Sequence, residues 1–133
     1  MVHFDSDKDI KYSLLNENGL LEYEENVLKN DGGLVSIDEH MFDRDALIFE
    51  GGDITKVELC KPNGMNYVTV TFDAPLFGLW SPAGKGAPFV CIEPWYGRAD
   101  RQGFSGDISE REYINTLKKR SIFEANYSIE IGV

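Results

Sequence analysis

The stretch Ser121-Ile122-Phe123-Glu124-Ala125-Asn126-Tyr127-Ser128-Ile129-Glu130-Ile131 decides the fold class. Phe123, Ala125, Tyr127, Ile129 and Ile131 fall on one face, and Glu124, Asn126, Ser128 and Glu130 on the other. A period of two is the pattern of a β-strand in a sheet with one apolar and one wet face. The same alternation recurs upstream: Val68, Val70 and Phe72 against Tyr67, Thr69 and Thr71, and Thr55, Val57 and Leu59 against Lys56 and Glu58. Pro62-Asn63-Gly64 lies between these two runs, and a Pro-Asn-Gly sequence supplies the backbone angles of a tight turn. Residues 55–72 therefore read as a β-hairpin. Further strands are expected at Ile10 to Leu15, Leu76 to Trp80 and Pro88 to Ile92, punctuated by Pro75, Pro82 and Pro88. Pro82-Ala83-Gly84-Lys85-Gly86 reads as a flexible loop.

Two places carry a capping-box signature for a short helix, Ser36-Ile37-Asp38-Glu39 and Ser109-Glu110-Arg111-Glu112. The first helix is expected to end near Arg44. Neither is long enough to carry a fold. The expectation is an all-β, antiparallel β-sandwich with one or two short helical turns.

A chain of 133 residues suffices for one domain. At 42% hydrophobic and 12% aromatic residues it can build a core without disulfides or metals. The formal net charge of −10 argues against nucleic-acid and anionic-membrane partners, since phosphate contacts need a basic face. Solubility is the simplest role for that charge. The start, Met1-Val2-His3-Phe4-Asp5, shows no positive segment followed by an apolar one, and no apolar run is long enough to span a bilayer. Cys60 and Cys91 are the only cysteines and form no Cys-x-x-Cys pair. Together these features lead to an expected cytoplasmic protein with two reduced thiols.

Among candidate sites, Cys91-Ile92-Glu93-Pro94-Trp95-Tyr96-Gly97 stands first. Glu93 follows the apolar run Phe89 to Ile92 and precedes two aromatics. A carboxylate at a strand end among aromatics is partly desolvated, which favours its neutral form and suits a general base. The aromatic faces could take the C–H surface of a sugar ring. On the residues alone, the plainer reading outweighs this one: a surface strand carboxylate with Trp95 and Tyr96 as packing. Asp45, in Phe42-Asp43-Arg44-Asp45-Ala46-Leu47-Ile48-Phe49, could accept hydrogen bonds from sugar hydroxyls, or simply be a turn carboxylate. Asp5-Ser6-Asp7-Lys8-Asp9 opens like a calcium loop, but Ile10 stands where glycine is needed and Asn16 where the bidentate glutamate is needed, so no metal site is expected there. His3 and His40 are the only histidines, and a surface role is expected for His40.

Taken in order, several of these segments resemble the bacterial branch of the aldose 1-epimerase, galactose mutarotase-like family. They are Phe42 to Phe49, Leu76-Phe77-Gly78-Leu79-Trp80-Ser81, Ala87 to Asp100, Tyr113-Ile114-Asn115-Thr116-Leu117 and the closing alternating strand. The resemblance implies a single domain over residues 1–133 that corresponds to the C-terminal half of the family's β-supersandwich. It implies interconversion of the α and β anomers of a free aldose, such as galactose or glucose, by acid–base ring opening without a cofactor. By the same resemblance Glu93 is the catalytic base, Asp45 and Trp95 bind substrate, and no metal takes part. The family's proton-donating histidine lies upstream of anything matched here. A non-catalytic carbohydrate-binding module is therefore the alternative reading. A half-sandwich exposes edges and apolar faces, so the expected partner is either further copies of the chain, as a homo-oligomer, or a missing N-terminal half.

Overall fold

The computed structural model describes residues 1–6 and 8–132. Its regular structure is antiparallel β, as the alternation predicts, with one short 3-10 turn. The strands are β1 (Val2–Phe4), β2 (Ile10–Tyr12), β3 (Asn26–Leu28), β4 (Leu34–Val35), β5 (Leu47–Glu50), β6 (Lys56–Cys60), β7 (Asn66–Phe72), β8 (Leu76–Trp80), β9 (Cys91–Trp95) and β10 (Tyr127–Ile131). They form a five-stranded sheet in the order β10-β7-β6-β1-β4, a three-stranded sheet β5-β8-β9 and the pair β2-β3. Among the described residues no helix is long and apolar enough to cross a membrane.

The hairpin β6-β7 forms where expected. Lys61 donates its N–H to the carbonyl of Met65, Gly64 donates to that of Lys61, and the Asn63 carboxamide accepts from the Met65 N–H. Gly64 adopts a φ of 81°, a left-handed conformation that costs glycine little.

The two larger sheets pack face to face. Val2, Phe4, Val57, Val70 and Phe72 from one meet Leu47, Phe49, Phe77 and Leu79 from the other. Their centre is aromatic: the Phe49 and Phe77 rings stack at 4.6 Å, with Phe4 at 5.3 Å from Phe49 and Phe72 at 5.2 Å from Phe77. Such ring pairs add to the stabilisation of burial itself. Asp5 pins the end of β1 to the start of β6 by accepting from Thr55 and the Lys56 N–H. It thus serves the acidic turn expected before β2; Asp7 of that turn lies outside the described residues.

Three local expectations are corrected. Residues 38–45 form successive turns rather than a helix, closed by bonds from Met41 to Asp38, Asp43 to His40 and Asp45 to Phe42. The buried Phe42 is drawn into the core, and a segment this short cannot propagate a helix against that pull. The second capping box forms two residues earlier than read. Asp107, not Ser109, caps the turn Ile108–Glu110, because Glu112 is captured by arginines elsewhere. The last strand begins at Tyr127 rather than Ser121, since β7 offers partners only from Val68 to Phe72.

The aromatic centre sets the first expectation. Phe77→Ala should lower stability by about 3–5 kcal/mol, because it leaves a cavity between both sheets. Urea denaturation followed by tryptophan fluorescence measures it, and a loss below about 1 kcal/mol would contradict the packing described.

Candidate functional site

Because the pleat alternates, the strands that send Phe49, Phe77 and Leu79 inward send another set of side chains outward. Across β5, β8 and β9 the register aligns Ile48, Gly78 and Glu93 in one row, and Glu50, Leu76 and Trp95 in the next. Trp80 stands opposite Cys91. Glu93 and Trp95 are thus neighbours on one outward face, which also carries Trp80 and Cys91.

Glu93 lies in the middle of β9, not at a strand end as the sequence suggests. The expected strand Pro88 to Ile92 is shifted because β8 ends at Trp80, whose partner is Cys91. Pro94 is tolerated within β9 because, among the described residues, β8 is that strand's one partner and β9 is the edge of its sheet.

Gly78 creates the local shape. A methyl group placed on its Cα would sit 2.6 Å from Cζ2 of Trp95, so the indole lies directly on bare backbone next to the Glu93 row. Trp95 also walls a shallow groove of about 250 Å³ with Leu15, Ile48, Gly97 and Arg98. The floor beneath this end is a small apolar cluster of Leu21, Ile48 and Leu76. Glu93 itself is half-buried. The Cys91 thiol on the same face is pushed up by burial, by the Glu93 charge and by hydrogen bonding to that carboxylate. The half-buried indole seated on that glycine and the carboxylate in the neighbouring row can take a hydrophobic ring face and accept a proton from a hydroxyl beside it.

Asp45 is exposed and holds a left-handed φ of 74° in the turn before β5. It lies three residues before Ile48, the β5 member of the Glu93 row. The fold brings both carboxylates to one sheet without bringing them together. A larger cleft of about 670 Å³, lined in part by Ile37, Phe42, Tyr67, Pro82 and Phe89, includes neither of them. The histidines are engaged elsewhere: His3 Nδ1 is 2.7 Å from Glu58, and His40 Nδ1 is 3.0 Å from Asp43. Among the described residues no group of three or more His, Cys, Asp or Glu side chains is placed to hold a metal ion.

The sequence reading missed an ion-pair network beside Trp95. The Arg98 side chain is 1% exposed and donates to Glu50 at 2.6 Å, to Glu112 and to the carbonyl of Ala99 at 2.9 Å. Its guanidinium lies 5.3 Å from the centre of the Tyr113 ring. Arg101 joins the same two carboxylates at 3.6 and 3.2 Å, and Arg111 pairs with Asp100 at 2.5 Å. Three arginines therefore gather near the groove, each matched by carboxylates. The dense charges of Arg98-Ala99-Asp100-Arg101 were the available signal. Their partners, 48 residues upstream for Glu50 and 14 downstream for Glu112, could not be read from spacing.

Comparison with solved structures identifies the architecture as galactose mutarotase-like. The galactose mutarotase related enzyme of Lactobacillus acidophilus superposes with a TM-score of 0.84 at 30% identity, over 99% of this chain and 44% of that one. A galactose mutarotase-like protein of Lactobacillus casei superposes with a TM-score of 0.70 at 20% identity, over 96% of this chain and 44% of that one. The resemblance read from the sequence and the likeness of the fold coincide, and the chain spans less than half the length of either relative. No protein-family model and no curated protein matches the sequence.

Two expectations follow from the site. Gly78→Ala should lift the Trp95 indole from the sheet, visible as a red-shifted tryptophan emission and a stability loss of about 1–3 kcal/mol from overpacking; unchanged emission would contradict the contact. Hydrogen bonding to Arg98 leads the influences that hold the Glu112 carboxyl below its usual 4.5. A carboxylate depressed on folding contributes stability above its unfolded value and loses it as pH falls through the folded one. Stability should therefore fall on acidification below pH 4.5, and less steeply in Glu112→Gln, in denaturation midpoints measured against pH.

Proposed function

We propose that this chain contributes the base and one wall of an aldose 1-epimerase-like site, in which Glu93 takes the proton from the anomeric hydroxyl of a free aldose. The observation that carries this is the outward face of β8 and β9, where Glu93 lies across from Gly78 and next to the Trp95 indole. The sugar's C–H face would rest on Trp95, with its hydroxyls toward Glu93. Asp45, further along the sheet, would accept from distal hydroxyls. Deprotonation at the anomeric oxygen with protonation of the ring oxygen breaks the C1–ring oxygen bond. Rotation about C1–C2 and closure on the other face gives the other anomer, and both protons return. Neither histidine of this chain stands on that face: His3 lies in β1 of the five-stranded sheet, bonded to Glu58, and His40 in the turns after β4, bonded to Asp43. That proton must come from water or from a group outside the chain. The arginines near the groove are neutralised, which favours an uncharged sugar over a sugar phosphate.

The shallowness of the groove at Trp95 supports a second reading, a non-catalytic carbohydrate-binding module. Polarimetry of freshly dissolved α-galactose, alongside tryptophan fluorescence titration with the same sugar, separates the two. Under the catalytic reading the chain accelerates mutarotation and Glu93→Gln lowers the acceleration by about 10²-fold or more, the usual worth of a positioned base. Fluorescence changes with sugar but equal rates for wild type, variant and buffer would leave binding only. No response in either measurement would remove both.

A further inference from the structure

Tyr113 carries a φ of 56°, inside the left-handed region that glycine enters freely and a bulky side chain rarely does. A residue held there is strained, and it persists only where its surroundings over-determine it. Here they do. The Tyr113 ring centre lies 5.3 Å from the guanidinium of Arg98, whose side chain is 1% exposed. Together with Trp95 and Leu15, the ring packs against the buried cluster of Leu21, Ile48 and Leu76. On one side of it Glu112 accepts from Arg98 and Arg101; on the other the Asn115 carboxamide donates to the carbonyl of Tyr96. A Cβ on Gly97 would meet the Tyr113 carbonyl at 3.4 Å, so this segment lies against the chain two residues past Trp95. Glycine would serve a turn alone without strain. The tyrosine is held there by what its ring touches, the same cluster and the same arginine that border the Trp95 groove.

We propose that Tyr113 is a positioning residue of the Trp95 wall: its ring covers Arg98 and the Leu21, Ile48 and Leu76 cluster, and thereby keeps the indole seated on Gly78 for the ring face of a sugar. The link runs through two contacts. Arg98 borders the groove beside Trp95, and its guanidinium is met by the carboxylates of Glu50 and Glu112 and by the face of Tyr113. A guanidinium over an aromatic face is attracted by the ring quadrupole, most strongly where water is excluded. The apolar cluster is small, three buried side chains, and depends on its half-buried neighbours for cover. With the Tyr113 ring gone, water reaches both, and the indole is no longer held to the glycine. The ring acts, not the hydroxyl, so phenylalanine should replace tyrosine. The proposal rests on the reading of Trp95 as the sugar-facing wall, while its first readout is the indole itself, with or without a sugar.

The test is made in the full chain carrying Trp80→Phe, which leaves Trp95 as its one tryptophan. Tyr113→Gly and Tyr113→Phe are compared with this parent by tryptophan emission, acrylamide quenching and titration with galactose. In Tyr113→Gly the emission should shift to the red and quenching should rise, while galactose binds more weakly by about threefold or more, the worth of one lost aromatic contact. Tyr113→Phe should match the parent in all three. A residue needed only for the turn would give a different pattern in Tyr113→Gly: an unmoved indole and a denaturation midpoint as high or higher, because glycine takes that conformation without strain. That result would overturn the proposal. So would an indole displaced as far by Tyr113→Phe, or a displaced indole with unchanged galactose affinity. If Trp80→Phe does not fold, the indole N–H resonances of both tryptophans decide, one moving in Tyr113→Gly and neither in Tyr113→Phe. If Tyr113→Gly does not fold, Tyr113→Asn, which also tolerates this backbone, replaces it. An indole that moves in a chain whose parent gives no galactose response would sink the sugar reading and leave this one standing; an unmoved indole in a chain that binds galactose would do the reverse.

Discussion

Everything in this molecule depends on the two faces of strand β8. Phe77 and Leu79 enter the aromatic core between the sheets, and the pleat then obliges Leu76, Gly78 and Trp80 to face outward. A slip of one residue would put a glycine in the core and a phenylalanine on the candidate site. Burial of Phe77 against Phe49 and Phe72 makes that slip costly, so the packing of the interior fixes the register of the exterior. The bare backbone at Gly78, on which Trp95 lies beside Glu93, is thus held in place by a hydrophobic contact on the other side of the sheet.

Electrostatics completes what the pleat begins. The segment after β9 has few apolar contacts to hold it, and it is fastened by charge. Arg98 binds Glu50 from β5 and Glu112 from the C-terminal region, and Arg101 binds both again. A buried guanidinium is tolerable only when its donors are met, and removal of one partner strands a charge in a poor solvent. The network therefore clamps the base of Trp95 to two distant parts of the chain. It also uses up the positive charge that would otherwise attract an anionic ligand to the groove.

The strands around Val57 and Val70 were legible because each has one buried and one more open face, and alternation reports that difference directly; β8, buried on both faces, was legible instead as an apolar run between Pro75 and Pro82. The hairpin turn was legible because Gly64 is a local necessity. The helix expected after Ser36 failed because the capping signature is local while the demand on Phe42 is not: burial of that ring in the core overrode the preference of its neighbours. The alternation at Tyr127 to Ile131 was read correctly as a strand, but its apolar face lies bare, because nothing in a period of two says whether a second layer reaches that far.

For the candidate site, residue types and order pointed to Glu93, Trp95 and Asp45, but their arrangement was beyond reach. That Glu93 stands in mid-strand opposite a glycine, that Asp45 sits in a turn three residues before the β5 member of that row, and that both histidines are tied to other carboxylates depend on which strand pairs with which, and pairing joins residues far apart in the chain. The sequence by itself determined that the chain is antiparallel β, where its central hairpin turns and which aromatic-flanked carboxylate merits attention, since propensity and alternation act over a few residues. Tertiary structure alone decided the site's row-by-row geometry, the arginine clamp and the uncovered stripe on β10, because each is set by contacts between distant segments.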